Sequence, residues 1–188
     1  LHLPLGKPLA TAATRGSLER IPRPQMAPLV IEPQIQQEGL PFYAKLRAEA
    51  SPSLLQTGTG DLYLGFHLDP LHGAHWNTLS KPLSLTIAQQ DGVQLDQWSA
   101  QAKASKVTDD ADPREFLLKA AAWPAAKALR LTVTYFACVG EETCHAVRQE
   151  YLIHLRRDQD GGGARGEGAG YWNAEDFARQ MLRGDKNG

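Results

Sequence analysis

Two alternating stretches joined by a short loop constrain the fold of this chain most strongly. Residues 129–135 (LRLTVTY) and 147–155 (VRQEYLIHL) carry apolar side chains at nearly every second position, the period of a strand with one buried face. The residues between them include Gly140, which suits a turn. Two such segments so close in sequence predict a β-hairpin.

Shorter segments with the same alternation precede this hairpin. Strands are predicted at 61–68, 82–87 and 93–98, the last after an Asp91-Gly92 turn that signals a hairpin, while 115–121 is ambiguous between strand and helix. No alternation of strands with helices is present, so a thioredoxin-type fold is not expected. Six to eight short strands separated by turns predict an all-β fold of the β-sandwich kind.

Composition divides the chain into four segments. Residues 1–39 contain six prolines and are expected to form an extended linker or arm, with room for a short strand at 28–35. Residues 40–157 carry the β pattern, and 158–171 form a glycine-rich linker. Residues 172–188 predict a helix followed by DKNG, which matches the opening of an EF-hand loop as well as it matches a polar terminus. We therefore expect one module of a longer chain.

The charge of the chain excludes some partners. A formal net charge of -1 with scattered basic residues argues against binding to nucleic acid, which requires a concentrated positive field. No apolar run approaches the roughly 20 residues of a membrane-spanning helix. The acidic stretch TDDADP, residues 108–113, is expected to be a solvated loop.

The only two cysteines, Cys138 and Cys144, flank the predicted turn of the hairpin. A hairpin can bring their Cα atoms within the roughly 4.4–6.8 Å that a disulfide requires. Such a small ring would stabilise the fold by only about 2–2.5 kcal/mol, which favours an exchangeable bond over a structural one. A metal site would add His145, His72 and His75, but five intervening residues exceed the usual two to four. Exchange, a structural bridge and a metal site all remain open.

The segment LTVTYFACVGEETCHAV resembles the cysteine hairpin of the amino-terminal periplasmic domain of DsbD, the thiol:disulfide interchange protein. The matching residues are Val133, Thr134, Tyr135, Cys138 and Cys144, and DLYLGFHLDPLHGAHWNTLSKP is more loosely similar. The resemblance covers about residues 40–157. It implies an immunoglobulin-like β-sandwich outside the cytoplasm, in the periplasm, acting as a thiol-disulfide oxidoreductase domain. Its partners would be other thiol-disulfide redox proteins, and it would need neither a cofactor nor a metal.

The resemblance also implies roles for individual residues. Cys144 would attack the partner and Cys138 would resolve the mixed disulfide. An aromatic cap beside acidic residues would shield the pair, and Phe116, with Glu115 next to it, is the first candidate. Tyr135 and Phe136 are further candidate shields. Separately, a protonated His145 should lower the pKa of the neighbouring Cys144 thiol, while Glu141 and Glu142 should raise it.

Overall fold

A computed structural model describes residues 18–36, 39–77, 80–103, 107, 110–140 and 143–159. These residues form ten strands, one short helix and one 3₁₀ turn. The strands are β1 Ala27–Gln36, β2 Ala44–Ala50, β3 Gly60–Leu68, β4 Ala74–Trp76, β5 Ser84–Ile87, β6 Gln94–Leu95, β7 Ser99–Gln101, β8 Arg114–Ala122, β9 Leu129–Val139 and β10 Thr143–Arg157. The helix α1 is Pro52–Thr57 and the 3₁₀ turn is Pro70–His72. The all-β prediction is confirmed.

All strand pairs of the described residues are antiparallel, in one curled sheet of order β6-β8-β3-β2-β1-β10-β9-β5-β7. The short strand β4 pairs with β9 beyond the end of β5. Strand β1 joins the two halves of the sheet, because its first residues pair with β2 and the rest of it pairs with β10. Strand β1 is therefore shared by the β6-β8-β3-β2 half and the β10-β9-β5-β7 half.

The two halves of the sheet share one hydrophobic core. Strand β9 buries Leu131, Val133 and Tyr135 on the same side, and β3 buries Leu64 and Phe66 in the same cluster. The backbone N–H of Ala44 on β2 also donates a hydrogen bond to the Tyr135 hydroxyl on β9, at 3.0 Å. Burial of these apolar faces against each other is the main stabilising contribution.

The Asp91-Gly92 turn does not form a hairpin, and that prediction is wrong. The strand before it, β5, pairs with β7 and β9, whereas the strand after it, β6, pairs with β8 in the other half of the sheet. The turn carries the chain between the halves. A turn signal reports local backbone geometry and does not determine which strands pair.

The sheet begins at Ala27, inside the segment that the sequence assigns to the proline-rich arm. The residues just before β1 lie across the outer face of β2, β3 and β8. There Arg23 contacts Glu49 at 3.3 Å, and Arg20 binds Glu115 through two hydrogen bonds of 2.9 and 3.0 Å. Residues 160–171 of the predicted glycine-rich linker 158–171, the helix predicted at 172–188 and the EF-hand-like residues lie outside the described residues. Within the described part of the chain, no helix has the length and apolarity to cross a membrane.

Candidate functional site

Cys138 and Cys144 form a disulfide at the open end of the β9–β10 hairpin. The two residues are directly opposed in the strand register, their Sγ atoms are 2.04 Å apart and their Cα atoms are 4.0 Å apart. Neither cysteine is free. The hairpin therefore brings the sulfurs together, with the Cα atoms slightly closer than the range expected from the sequence.

The disulfide lies on the outer face of the sheet, away from the core. The register of β9 and β10 is regular from the Val139–Thr143 pair to the Leu129–Ile153 pair. Side chains on a strand alternate between the two faces. Because Tyr135 and Ala137 point into the core, Cys138 and the opposing Cys144 point outward.

The two cysteines differ in exposure. Cys138 is 4% exposed, whereas Cys144 is exposed. Thiol–disulfide exchange requires an attacking thiolate to reach one of the two sulfurs. Of the two residues, Cys144 is therefore the one that solvent reaches more readily.

His75 on β4 completes a row of side chains that contains the disulfide. It is directly opposite Cys138 on the edge of β9 that does not pair with β10, so the row runs His75, Cys138, Cys144. His75 is half-buried, while its neighbours Ala74 and Trp76 point into the core. The sequence places His75 only in a possible metal site. Its position beside Cys138 depends on a pairing between segments 63 residues apart, which local pattern does not reveal.

Trp76 fixes the position of this short strand. Its indole packs edge-on against Tyr135 with ring centroids 5.5 Å apart. Its indole N–H donates to the Asp112 carbonyl at 2.6 Å, and its backbone N–H donates to the Asp110 carbonyl at 2.9 Å. The Arg114 guanidinium lies 5.1 Å from the centroid of its ring. Contacts on several sides hold β4 against β9.

Residues 110–113, the described part of the acidic stretch 108–113, are not simply solvated as the sequence-based expectation had it. Asp110 is fully buried and forms a salt bridge of 2.5 Å with Arg114. Its side chain also accepts a hydrogen bond from the Asp112 backbone N–H at 2.8 Å. A buried carboxylate requires such partners, and these partners build the loop along the edge of β4.

Two predicted modulating residues lie on the core side of the hairpin. His145 stacks on Tyr43 with ring centroids 5.4 Å apart and an interplanar angle of 13°. The Tyr135 hydroxyl donates to the Gln149 side chain at 3.2 Å, and burial raises the pKa of Tyr135 well above its ordinary value. Because adjacent residues point to opposite faces, His145 does not share a face with the sulfur of Cys144. The structure does not bring these two side chains to the disulfide.

The predicted cap on β8 also lies elsewhere. Phe116 is in the core, packed edge-on against Phe66 with ring centroids 6.2 Å apart. On the opposite face of β8, Glu115 accepts hydrogen bonds from Arg20 and from the Tyr63 hydroxyl. Burial raises the pKa of Glu115, but hydrogen bonds from Arg20, Tyr63 and the Ile21 N–H outweigh that effect and hold it below its ordinary value. Neither residue covers the outward-facing disulfide.

Phe136 is the candidate shield that shares a face with the disulfide. It lies two residues before Cys138 on the same strand, opposite Ala146 on β10, and is half-buried. The acidic residues Glu141 and Glu142 lie outside the described residues. Among the residues described, no group of three or more His, Cys, Asp and Glu side chains is arranged to hold a metal ion.

Comparisons with known proteins do not assign this chain to a family. The chain matches no family model, and neither the curated proteins nor the solved structures give a match. The resemblance to DsbD therefore depends on the hairpin residues 133–144 and on the looser similarity in residues 61–82.

Proposed function

We propose that this chain is a thiol:disulfide interchange module that passes electrons to or from partner redox proteins through Cys138 and Cys144. One observation carries the proposal: the two cysteines form an outward-facing bridge in which Cys144 is exposed and Cys138 is buried. This asymmetry gives the two sulfurs different roles. The sulfur of the exposed residue, Cys144, exchanges with the partner, and the sulfur of the buried residue, Cys138, leaves or resolves.

The position of the bridge also supports exchange over a structural role. Strands β9 and β10 are already paired from the turn to the far end of the hairpin, and β9 is held on its other edge by β4 and β5. The bridge joins residues only six positions apart. Closing so small a ring restricts the unfolded chain little. Opening the bridge therefore leaves the hydrogen bonds of the hairpin in place.

The proposed exchange proceeds in two displacements. A thiolate of the partner attacks Sγ of Cys144, a bond forms between these sulfurs, and the Cys138–Cys144 bond breaks with its electron pair passing to Cys138. A second partner thiolate then attacks the partner's own sulfur in the mixed disulfide, which releases Cys144 as a thiolate. The partner is oxidised to a disulfide by two electrons and this chain is reduced by two. In the reverse direction Cys144 attacks the partner and Cys138 resolves.

The fold and location follow from the same proposal. Two halves of a curled antiparallel sheet that share one core support an immunoglobulin-like β-sandwich as the architecture. A persistent disulfide suits an oxidising compartment, and the resemblance to DsbD suggests the periplasm. The chemistry itself requires no cofactor, because the sulfur pair carries both electrons.

The reduction potential of the pair tests this function. The protein is equilibrated with dithiol–disulfide buffers of graded potential, and the reduced fraction is measured from the mass added by a thiol-alkylating reagent. We expect a potential above about -300 mV, the region of exchangeable disulfides. The Cys138→Ser/Cys144→Ser double variant should gain no mass at any potential. A value well below that limit would instead support a non-catalytic binding module braced by a structural bridge.

A further inference from the structure

His75 is the titratable side chain directly beside Cys138 on the outer face of the sheet. It is opposite Cys138 in the β4–β9 register, and directly opposed residues of an antiparallel pair have Cβ atoms roughly 5 Å apart. Both residues point outward, because Ala137 and Trp76, which are paired with each other, point into the core. The imidazole therefore lies on the face where the bridge opens.

Charged groups around this row would compete with any effect of the imidazole. Two positions from the cysteines on the same face of β9 and β10 lie Phe136 and Ala146, which carry no charge. Arg148 lies four residues further along β10 and is paired with Glu150 at 2.7 Å.

On the other edge of β4, the charge of Asp110 is neutralised by the buried Arg114, and the neighbouring Asp112 is held through its backbone. Asp112 also accepts the Leu18 N–H at 3.4 Å. Among these groups, His75 is the one placed to act directly on Cys138.

We propose that His75 is a positioning residue that places positive charge beside Cys138 and stabilises the thiolate released there when the bridge opens. This inference rests on the proposed function, since it assigns Cys138 as the leaving sulfur. In the step concerned, an incoming thiolate forms a bond to Sγ of Cys144, the Cys138–Cys144 bond breaks, and its electron pair stays on Cys138. The His75 imidazolium pairs with this new thiolate or gives it a proton. A second thiolate then completes the two-electron reduction.

An opposite charge within about 4–6 Å lowers a thiol pKa by roughly 1–3 units. A thiol of lower pKa is a better leaving group. If the logarithm of the rate changes by about 0.5 per unit of leaving-thiol pKa, the Brønsted slope known for attacking thiols, this pKa shift changes the rate by about 3- to 30-fold. We therefore expect His75→Gln to slow reduction of the bridge by glutathione by about 3- to 30-fold near neutral pH.

The matched control is His145→Gln. His145 adjoins Cys144 in sequence but stacks on Tyr43 on the core side, so its replacement should leave the glutathione rate and its pH profile unchanged. His75→Lys retains a cation at the same position. It should restore the rate. This rescue separates the effect of charge from a structural effect of losing the imidazole.

A second readout uses the reduced protein with Cys144→Ser, in which Cys138 is the only thiol. The ultraviolet absorbance of its thiolate against pH should show a higher Cys138 pKa when His75→Gln is added, and no change when His145→Gln is added. Identical titration curves and pH–rate profiles with and without His75 would overturn the inference. Neither measurement uses a partner protein. Failure of the inference is therefore distinguishable from failure of the proposed function, which the reduction potential decides.

Discussion

Reduction of the Cys138–Cys144 bridge should weaken the fold only slightly. Residues 138–144 enclose seven positions, and the chain-entropy relation for a ring of that size gives a stabilisation of about 2.3 kcal/mol. This stabilisation is close to the maximum for a ring of this size, because the regular pairing of β9 with β10 already holds the two cysteines opposite each other in the folded protein.

The same free energy determines how much folding lowers the reduction potential of the disulfide. By a thermodynamic cycle, the free energy by which the bridge stabilises the fold equals the free energy by which the fold stabilises the bridge. For a two-electron couple, about 2.3 kcal/mol corresponds to about 50 mV. The bridge should therefore be about 50 mV harder to reduce in the folded protein than in the same chain unfolded by denaturant.

Urea unfolding of the oxidised and reduced protein measures the first quantity. The fluorescence of Trp76 and Trp123, which are 3% and 1% exposed, should report the transition. The Cys138→Ala/Cys144→Ala variant should match the reduced protein within about 1 kcal/mol. A loss above about 4 kcal/mol on reduction, or complete unfolding, would refute the reasoning and identify the bridge as structural.

Three further substitutions test buried contacts of the fold. Gly65→Ala should destabilise the protein by about 1–3 kcal/mol in urea unfolding, because its new Cβ would lie 2.2 Å from the hydroxyl oxygen of the buried Tyr63; an unchanged midpoint would contradict that packing. Tyr135→Phe should lower the free energy of unfolding by about 1–3 kcal/mol, because the Tyr135 hydroxyl takes part in two buried hydrogen bonds. The same substitution should leave the rate of exchange with glutathione unchanged. A faster exchange would indicate that Tyr135 shields the disulfide. Burial lowers the pKa of His67 from 6.5 to about 3. Below pH 6.5 the His67 side chain therefore stays neutral in the folded protein but binds a proton in the unfolded chain. The free energy of unfolding should fall by up to about 1.4 kcal/mol per pH unit in this range. His67→Gln should flatten this dependence, and curves parallel to those of the unsubstituted protein between pH 7 and 4 would contradict it.

The sequence predicted strands best where one face is buried and the other is not. Strands β9 and β10 show this alternation clearly, and the predicted 129–135 and 147–155 lie inside the observed strands. Strand β3 was also predicted, at 61–68. Strand β2, with sequence AKLRAEA, was missed because most of its residues are strong helix formers. Pairing of β2 with β3 on one edge and with β1 on the other overrides that preference.

The short helix α1 carried signals that could have been used. Ser51 accepts a hydrogen bond from the Leu54 N–H at its start, Pro52 occupies the first turn, and Gly58 ends it in a left-handed conformation. All three residues are visible in the sequence. Local capping chemistry is therefore readable even where the strand order is not.

The sequence predicted that the two cysteines of the candidate site would meet, but it did not predict which side chains would lie around them. The cysteines lie on one hairpin, so local sequence determines their meeting. Phe116, in contrast, is separated from the disulfide by the sheet itself, and His145 is separated by one step of strand alternation. His75 reaches Cys138 through long-range pairing of a three-residue strand, too short to be recognised by its pattern.

Trapping a mixed disulfide tests the central claim most directly. The Cys138→Ser and Cys144→Ser variants are each mixed with the disulfide form of a thioredoxin-type dithiol protein, and the products are analysed by mass spectrometry without reductant. We expect Cys138→Ser to accumulate a covalent adduct through Cys144, because the resolving sulfur is missing, and Cys144→Ser to accumulate little. Adducts of equal yield in both variants, or in neither, would contradict the account.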